Sequence, residues 1–207
     1  MRLALVRQCF IGFFVSILLC VNALAFAAAA DSQPVVVLKQ SAQQMVSMLK
    51  ANHARLHNQK FLHAQVRAIV LPRFDLQTMA RSIVGRNYWA SATAAQRAAF
   101  IREFTSLVIS VYAAPLADFN GDQIQFLPQR ENAGTRSVVR TQIIRPTGQK
   151  ISVVYQMLKA GETWKVYDFS IEGISMVSSY RAQFAGVLQQ KGLNGLLTDM
   201  QQHNRSV

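Results

Sequence analysis

His53 and His57 stand four residues apart, the spacing that sets two imidazoles on one helix face for zinc, with His63 close behind. A structural zinc site needs more ligands than this, and the next carboxylate along the chain is Asp75. The spacing is therefore read as two solvated side chains on one helix, and no metal site is expected. Gly173-Ile174-Ser175 has the first half of a G-x-S-x-G nucleophile elbow, but residue 177 is Val. The segment from Asp118 to Asp122 resembles the start of a calcium loop, yet no Glu closes it at the required distance. Neither a phosphate loop nor a dinucleotide fingerprint occurs. Asp168 and Glu172 are the carboxylates most enclosed by apolar sequence. Asp168 is expected to be held by an arginine, as an ion pair or a cap, rather than to catalyse.

The elements that would position these residues follow from periodicity. Leu38, Ala42, Met45, Leu49 and Leu56 recur at helical spacing from Val36 onward. A second helix spans Phe61 to Leu71, ended by Pro72, and Asp75 caps a third that Gly85 stops. Thr93-Ala94-Ala95-Gln96 is a capping box opening a helix to about Tyr112. Its stripe is read as Phe100, Phe104, Leu107 and Val111. After Asn120-Gly121-Asp122 the period changes to two. Strands are expected at 123–127, 135–144, 151–158 and 164–171, joined by short turns into an antiparallel meander. Closing helices at 176–190 and 193–202 are separated by Gly192. The fold class is α+β in one domain, 31–207.

Residues 1–30 are set aside as an export signal. Arg2 and Arg7 precede the apolar run from Phe10 to Leu19, and small-x-small cleavage patterns follow at 23–30. Two other readings compete: an uncleaved anchor, since the run is near spanning length, and a lipoprotein, since Cys20 ends the run. Leu19 stands where lipoprotein processing wants a small residue. Both cysteines, Cys9 and Cys20, lie in this segment, so the mature chain has no thiol for a disulfide, nucleophile or metal. The formal charge of +12 becomes +10 once Arg2 and Arg7 are removed. In an exported protein that charge favours anionic headgroups or acidic protein surfaces over nucleic acid.

Hydrophobic residues make up 51% of the chain, enough for a sizeable core. The last strand is apolar on both faces, Trp164 and Val166 on one, Tyr167, Phe169 and Ile171 on the other. Val139, Thr141 and Ile143 share a face of the second strand, and Val153, Tyr155 and Met157 share a face of the third. Neighbouring strands must put their apolar sets on one side. Opposite them stand the Phe100 stripe and Tyr180 with Phe184. Periodicity does not separate a filled core from a lined cavity here.

Two segments carry a resemblance. One runs Phe74-Asp75 to Ala80, Gly85, Tyr88-Trp89, Ala92-Thr93-Ala94-Ala95-Gln96-Arg97, Phe100, Phe104 and Tyr112-Ala113. The other runs Trp164-Lys165-Val166-Tyr167-Asp168-Phe169-Ser170-Ile171-Glu172-Gly173-Ile174-Ser175, continuing to Tyr180-Arg181 and Phe184. Together they resemble the MlaC-type periplasmic phospholipid carriers, the toluene-tolerance family. The resemblance implies a sheet of about four antiparallel strands wrapped by about six helices, of nuclear-transport-factor type, around an apolar pocket. It implies a monomeric, non-enzymatic carrier without cofactor or nucleic-acid partner. Its cargo is a glycerophospholipid, passed between an outer-membrane lipoprotein–porin complex and an inner-membrane ABC transporter complex through transient contacts, which maintains outer-membrane lipid asymmetry.

The residues expected to touch lipid are Phe100, Phe104, Leu107, Val111, Val139, Thr141, Ile143, Val153, Tyr155, Met157, Phe169, Ile171, Ile174, Tyr180 and Phe184. Arg97, expected to be largely exposed, and Ile174, at the pocket rim, are the expected docking residues. The alternatives are a periplasmic chaperone or adaptor binding apolar protein segments, and an exported hydrolase using Asp168 or Ser175.

Overall fold

A computed structural model describes residues 32–129 and 134–206. The expected export signal lies outside the described residues. Helix α1, Gln33–Ala51, carries Pro34 in its first turn, where a missing N–H and fixed φ are tolerated. It buries Val35, Leu38, Ser41, Met45 and Leu49, a single stripe at helical spacing. It ends earlier than the sequence suggested. His53 falls in a separate 3-10 turn, His53–Arg55, and His57 lies past it, so the two imidazoles do not share a helix face. Helix α2, Gln59–Ile69, is capped by Asn58, whose side chain accepts from the Phe61 amide at 3.0 Å. A 3-10 turn, Leu71–Arg73, leads to α3, Leu76–Val84. Asp75 caps α3, accepting from the Thr78 amide at 2.9 Å and the Thr78 hydroxyl at 2.6 Å.

The short helix α4, Arg86–Ser91, was not expected; it follows Gly85, whose φ of 87° lets the chain reverse without strain. Helix α5, Ala94–Ala113, has the expected capping box. The Gln96 backbone amide donates to the Thr93 hydroxyl at 3.1 Å, and the Thr93 backbone amide donates to the Gln96 side-chain Oε1 at 2.8 Å.

The sheet is an antiparallel meander in chain order: β1, Gln123–Phe126; β2, Arg136–Ile144; β3, Lys150–Ala160; β4, Thr163–Ile171; and β5, Ile174–Ser175. The fifth strand exceeds the expected four by one two-residue element, too short to show a period. Helix α6, Met176–Ser206, joins the two expected closing helices across a kink at Gly192, where φ is 63° and ψ −170°.

A bulge decides which way β4 faces. Tyr155 pairs with Phe169 and Gln156 with Asp168, but Met157 pairs with Val166, leaving Tyr167 unopposed. Tyr155 and Met157 lie on one face of β3, so Phe169 and Val166 both face it across the ladder. The expectation that β4 is apolar on two faces is therefore corrected. Trp164, Val166, Phe169 and Ile171 all turn to the helices, because one inserted residue flips the alternation. Tyr167 takes the other face, donating to the Gln156 side chain at 3.0 Å beneath the Arg136 guanidinium.

Buried side chains form three clusters instead of the one contiguous core usual for a unit of this size. The first joins α3, α4, α5 and α6 through residues such as Met79, Trp89, Phe100, Phe104, Tyr180 and Phe184. The second joins α1, α2 and α5 through Met45, Leu49, Leu62 and Ile109. The third sets the first half of α1, with Val35 and Leu38, on Val139, Met157, Trp164 and Val166 of the sheet.

Candidate functional site: an apolar cavity between the three clusters

The space between the clusters is a cavity of about 300 Å³. Its sheet wall is Ile124 and Phe126 of β1, Ile143 of β2, Val153 and Tyr155 of β3, and Phe169 and Ile171 of β4. These positions follow from register: Ile124 pairs with Ile143, Tyr155 with Phe169 and Val153 with Ile171. Facing them, α5 presents Phe104, Thr105, Val108, Ile109, Tyr112 and Ala113. Helix α1 closes one side with Leu38, Ser41, Ala42 and Met45, and the chain from Val66 to Met79 closes another. Among these residues only Ser41, Thr105, Arg73 and the two tyrosines carry polar side-chain atoms.

The tyrosines remain neutral. Burial pushes the Tyr155 hydroxyl up, with the Thr141 side chain pulling weakly the other way. Burial raises Tyr112 as well. Tyr180, just behind Tyr112, is pushed up to about 12 by burial, with Tyr112 adding to the rise. Phe169 anchors the wall, its ring meeting Phe74 edge-on at 5.9 Å and Tyr112 at 5.7 Å.

The structure brings Phe104, Ile143, Val153, Tyr155, Phe169 and Ile171 together on this wall and places the other expected lipid contacts off it. Phe100 stacks on Phe104 at 5.7 Å and meets Phe184 edge-on at 6.3 Å inside the first cluster. Tyr180 packs against Phe104 at 5.1 Å, and Leu107 packs on the same cluster. Val111 is 47% exposed. Beyond Phe104 the cavity face of α5 runs through Thr105, Val108, Ile109 and Tyr112 to Ala113, displaced round the helix from the expected Leu107 and Val111. The apolar face of this helix is wide enough to hold both stripes, so its period does not choose between them. Val139, Thr141 and Met157 face inward as expected and are buried; α1 covers Val139 and Met157, and the Thr141 hydroxyl donates to the Val153 carbonyl at 3.1 Å.

Ile174 is 68% exposed on β5, away from the cavity wall. Arg97 is half-buried, which corrects its expected exposure. Its Nε donates to the Trp89 carbonyl at 3.0 Å and its Nη2 to the Ala90 carbonyl at 3.2 Å, with the cation over the Trp89 ring. It ties down the end of α4, where free carbonyls need donors.

Asp168 is held by a helix start and not by an arginine. It accepts from the Ser175 hydroxyl at 2.7 Å and the Val177 amide at 3.1 Å, while the Ser175 oxygen accepts from the Ser178 amide at 3.1 Å. Both candidate hydrolase residues are thus engaged in starting α6. Among the described residues no cluster of His, Cys, Asp and Glu could hold a metal.

Sequence reasoning missed the contributions of α1, α2 and the Leu71–Arg73 turn to the wall. Arg73 was visible as one cation within the apolar run from Ile69 to Phe74, a signal that went unused.

Fold and site together define an α+β binding protein whose sheet and helices enclose a cavity made for apolar ligand. Residues 39–202 match the family described as MlaC protein, and the chain belongs to that family. It is similar to the intermembrane phospholipid transport system binding protein MlaC of Haemophilus influenzae, 29% identical over 180 residues, covering 84% of each chain. It is also similar to the toluene tolerance protein ttg2D of Pseudomonas putida, 26% identical over 79% of this chain and 76% of that one. Among solved structures, the phospholipid-binding protein of Ralstonia solanacearum, determined in complex with a phospholipid, matches with a TM-score of 0.78. It is 27% identical, and the match covers 86% of this chain and 98% of that one.

Proposed function

We propose that this chain is a periplasmic phospholipid carrier and not an enzyme. The observation that carries the reading is the apolar cavity of about 300 Å³ between sheet and helices, in a fold shared with a protein solved with phospholipid bound. Acyl tails enter between the β2–β4 wall and α5, and the headgroup stays towards solvent. Two tails carry on the order of 30 methylenes; at ~0.8 kcal/mol each, leaving them in water costs roughly 25 kcal/mol. A protein wall that replaces the water removes most of that barrier to crossing an aqueous compartment.

In this reading residues 1–30 are an export signal cleaved near 25–30, and 31–207 form the lipid-binding domain. The carrier works as a monomer between an outer-membrane lipoprotein–porin complex and an inner-membrane ABC transporter complex, maintaining outer-membrane lipid asymmetry. Exposed Ile174 is a contact for one of these complexes. A docked complex that weakens lipid binding by ~4 kcal/mol changes occupancy about a thousandfold, enough for handover.

Solvent extraction of the purified protein followed by mass spectrometry tests the reading. Near-stoichiometric glycerophospholipid is expected. A lipid-free protein that instead binds unfolded polypeptide would replace the carrier with a chaperone.

A further inference from the structure

Two polar groups on the cavity wall have no partner. The Arg73 Nε is buried without an acceptor, on a half-buried side chain that has no hydrogen bond or ion pair among the described residues. The Thr105 hydroxyl, on a residue 5% exposed, is likewise unpaired. A helical threonine ordinarily bonds the carbonyl one turn back, and this one does not. Buried polar groups left unpaired are rare and carry a desolvation cost, so each calls for an explanation. The two belong to different elements, the Leu71–Arg73 turn and α5, yet line one largely apolar space.

The chemistry of the two groups is specific. A guanidinium edge made of Nε–H and a neighbouring Nη–H presents two parallel donors, the fork that matches two oxygens of a phosphate. A threonine hydroxyl offers a single donor, suited to one carbonyl oxygen. We propose that Arg73 and Thr105 form a polar anchor for the glycerophosphate end of the cargo, with Arg73 on the phosphodiester and Thr105 on an acyl-ester carbonyl. This rests on the carrier reading above and adds to it a means of selecting lipids that bear phosphate. The apolar wall holds any pair of tails of suitable length; the anchor holds the charged end and fixes how deep the lipid sits.

Two lipids separate the roles: phosphatidylglycerol has both phosphate and ester carbonyls, diacylglycerol only the carbonyls. Delipidated wild type, Arg73→Leu, Arg73→Lys and Thr105→Val are loaded from vesicles containing each lipid, and retention is followed by mass spectrometry. Arg73→Leu is expected to lose phosphatidylglycerol ~10- to 100-fold faster, the worth of a charged hydrogen-bonded contact, with diacylglycerol retention within about twofold of wild type on the same scale. Arg73→Lys restores part of the loss, charge without the fork. Thr105→Val releases both lipids ~2- to 10-fold faster. Lipid-free Arg73→Leu melts no lower than lipid-free wild type, since it removes an unpaired group. Should Arg73→Leu fail to fold, Arg73→Gln carries the same comparison.

Equal retention of phosphatidylglycerol by wild type and the Arg73 variants overturns the anchor and leaves the carrier standing. So does equal loss of both lipids in Arg73→Leu. A wild type that takes up neither lipid overturns the carrier reading and the anchor with it.

Discussion

Val139, Met157 and Val166 belong to the same apolar sheet face as Val153, Tyr155 and Phe169, set along the same antiparallel strands. The first set is sealed by Val35 and Leu38 from the first half of α1, with Trp164 beside them. The second faces α5 across open space. The difference comes from the path of α1. Its second half turns Met45 and Leu49 to α2 and α5 instead of to the strands, and the wedge left under the helix is the cavity. One apolar surface thus serves as core at one end and as a binding wall at the other, and what decides is cover, not composition.

Charge insertion at matched positions is the severest way to break this comparison. At Val139, with no exposed surface, a carboxylate meets sealed hydrocarbon on every side. Val139→Glu should lower stability by ~3–5 kcal/mol or abolish folding. At Val153 the carboxylate reaches a cavity in which it keeps water. Val153→Glu, and Tyr155→Glu beside it, should fold and co-purify with markedly less phospholipid. Chemical denaturation and lipid mass spectrometry decide. Unfolded Val153→Glu, or a stable Val139→Glu, would mean that the two ends do not differ.

Cavity formation against close packing gives a gentler comparison on α5. Phe100 has no exposed surface inside the first cluster, so Phe100→Ala should cost ~3–5 kcal/mol. Val108 faces the cavity, and Val108→Ala enlarges a space that already exists; its cost should stay under ~1.5 kcal/mol. Thermal unfolding of the lipid-free forms checks the ranking.

The same helix shows what could be read from sequence and what could not. Thr93 and Gln96 mark its start because capping is local chemistry, complete within four residues. The β2–β3 pairing was legible from alternation, and the register follows it. The face α5 turns to the cavity was not legible, because Phe100, Ile101, Phe104, Leu107, Val108, Val111 and Tyr112 form one face so wide that a stripe through Leu107 and a stripe through Val108 read equally well. The bulge at Tyr167 was hidden because apolar residues stand on both sides of it, so a flipped alternation looks like an unbroken one. The role of α1 in leaving a wedge depends on contacts far apart in the chain, which no local pattern encodes.

Alkaline titration probes the filled side through Tyr180. Burial holds the folded-state phenol at about 12, above the ordinary 10.0, so the folded protein keeps this proton where the unfolded chain gives it up. The stability involved is intact below pH 10.0 and is lost as pH rises towards 12. Tyr112 and Tyr155 are raised too and add to the same slope. Tyr180→Phe should therefore flatten the fall in melting temperature above pH 10.0 without steepening it below. An unchanged alkaline slope would remove Tyr180 from the account.

The smallest expected effect belongs to a site away from both ends of the sheet face. Asp168 and Ser175 cap α6 through three hydrogen bonds of 2.7–3.1 Å, and Asp168 is 8% exposed. Losing a cap oxygen typically costs ~1 kcal/mol, so Ser175→Ala should lower stability by about that much. Asp168→Asn keeps an acceptor for the Val177 amide but weakens the bond from the Ser175 hydroxyl, since a carboxylate is the stronger acceptor. Neither residue touches the cavity wall, so phospholipid retention should match wild type in both variants once folding is allowed for. A hydrolase that used this pair would behave differently, losing turnover of an ester substrate in step with the substitutions while its melting temperature hardly moved. Measuring melting temperature, lipid retention and ester hydrolysis on the same preparations separates a helix cap from a catalytic pair.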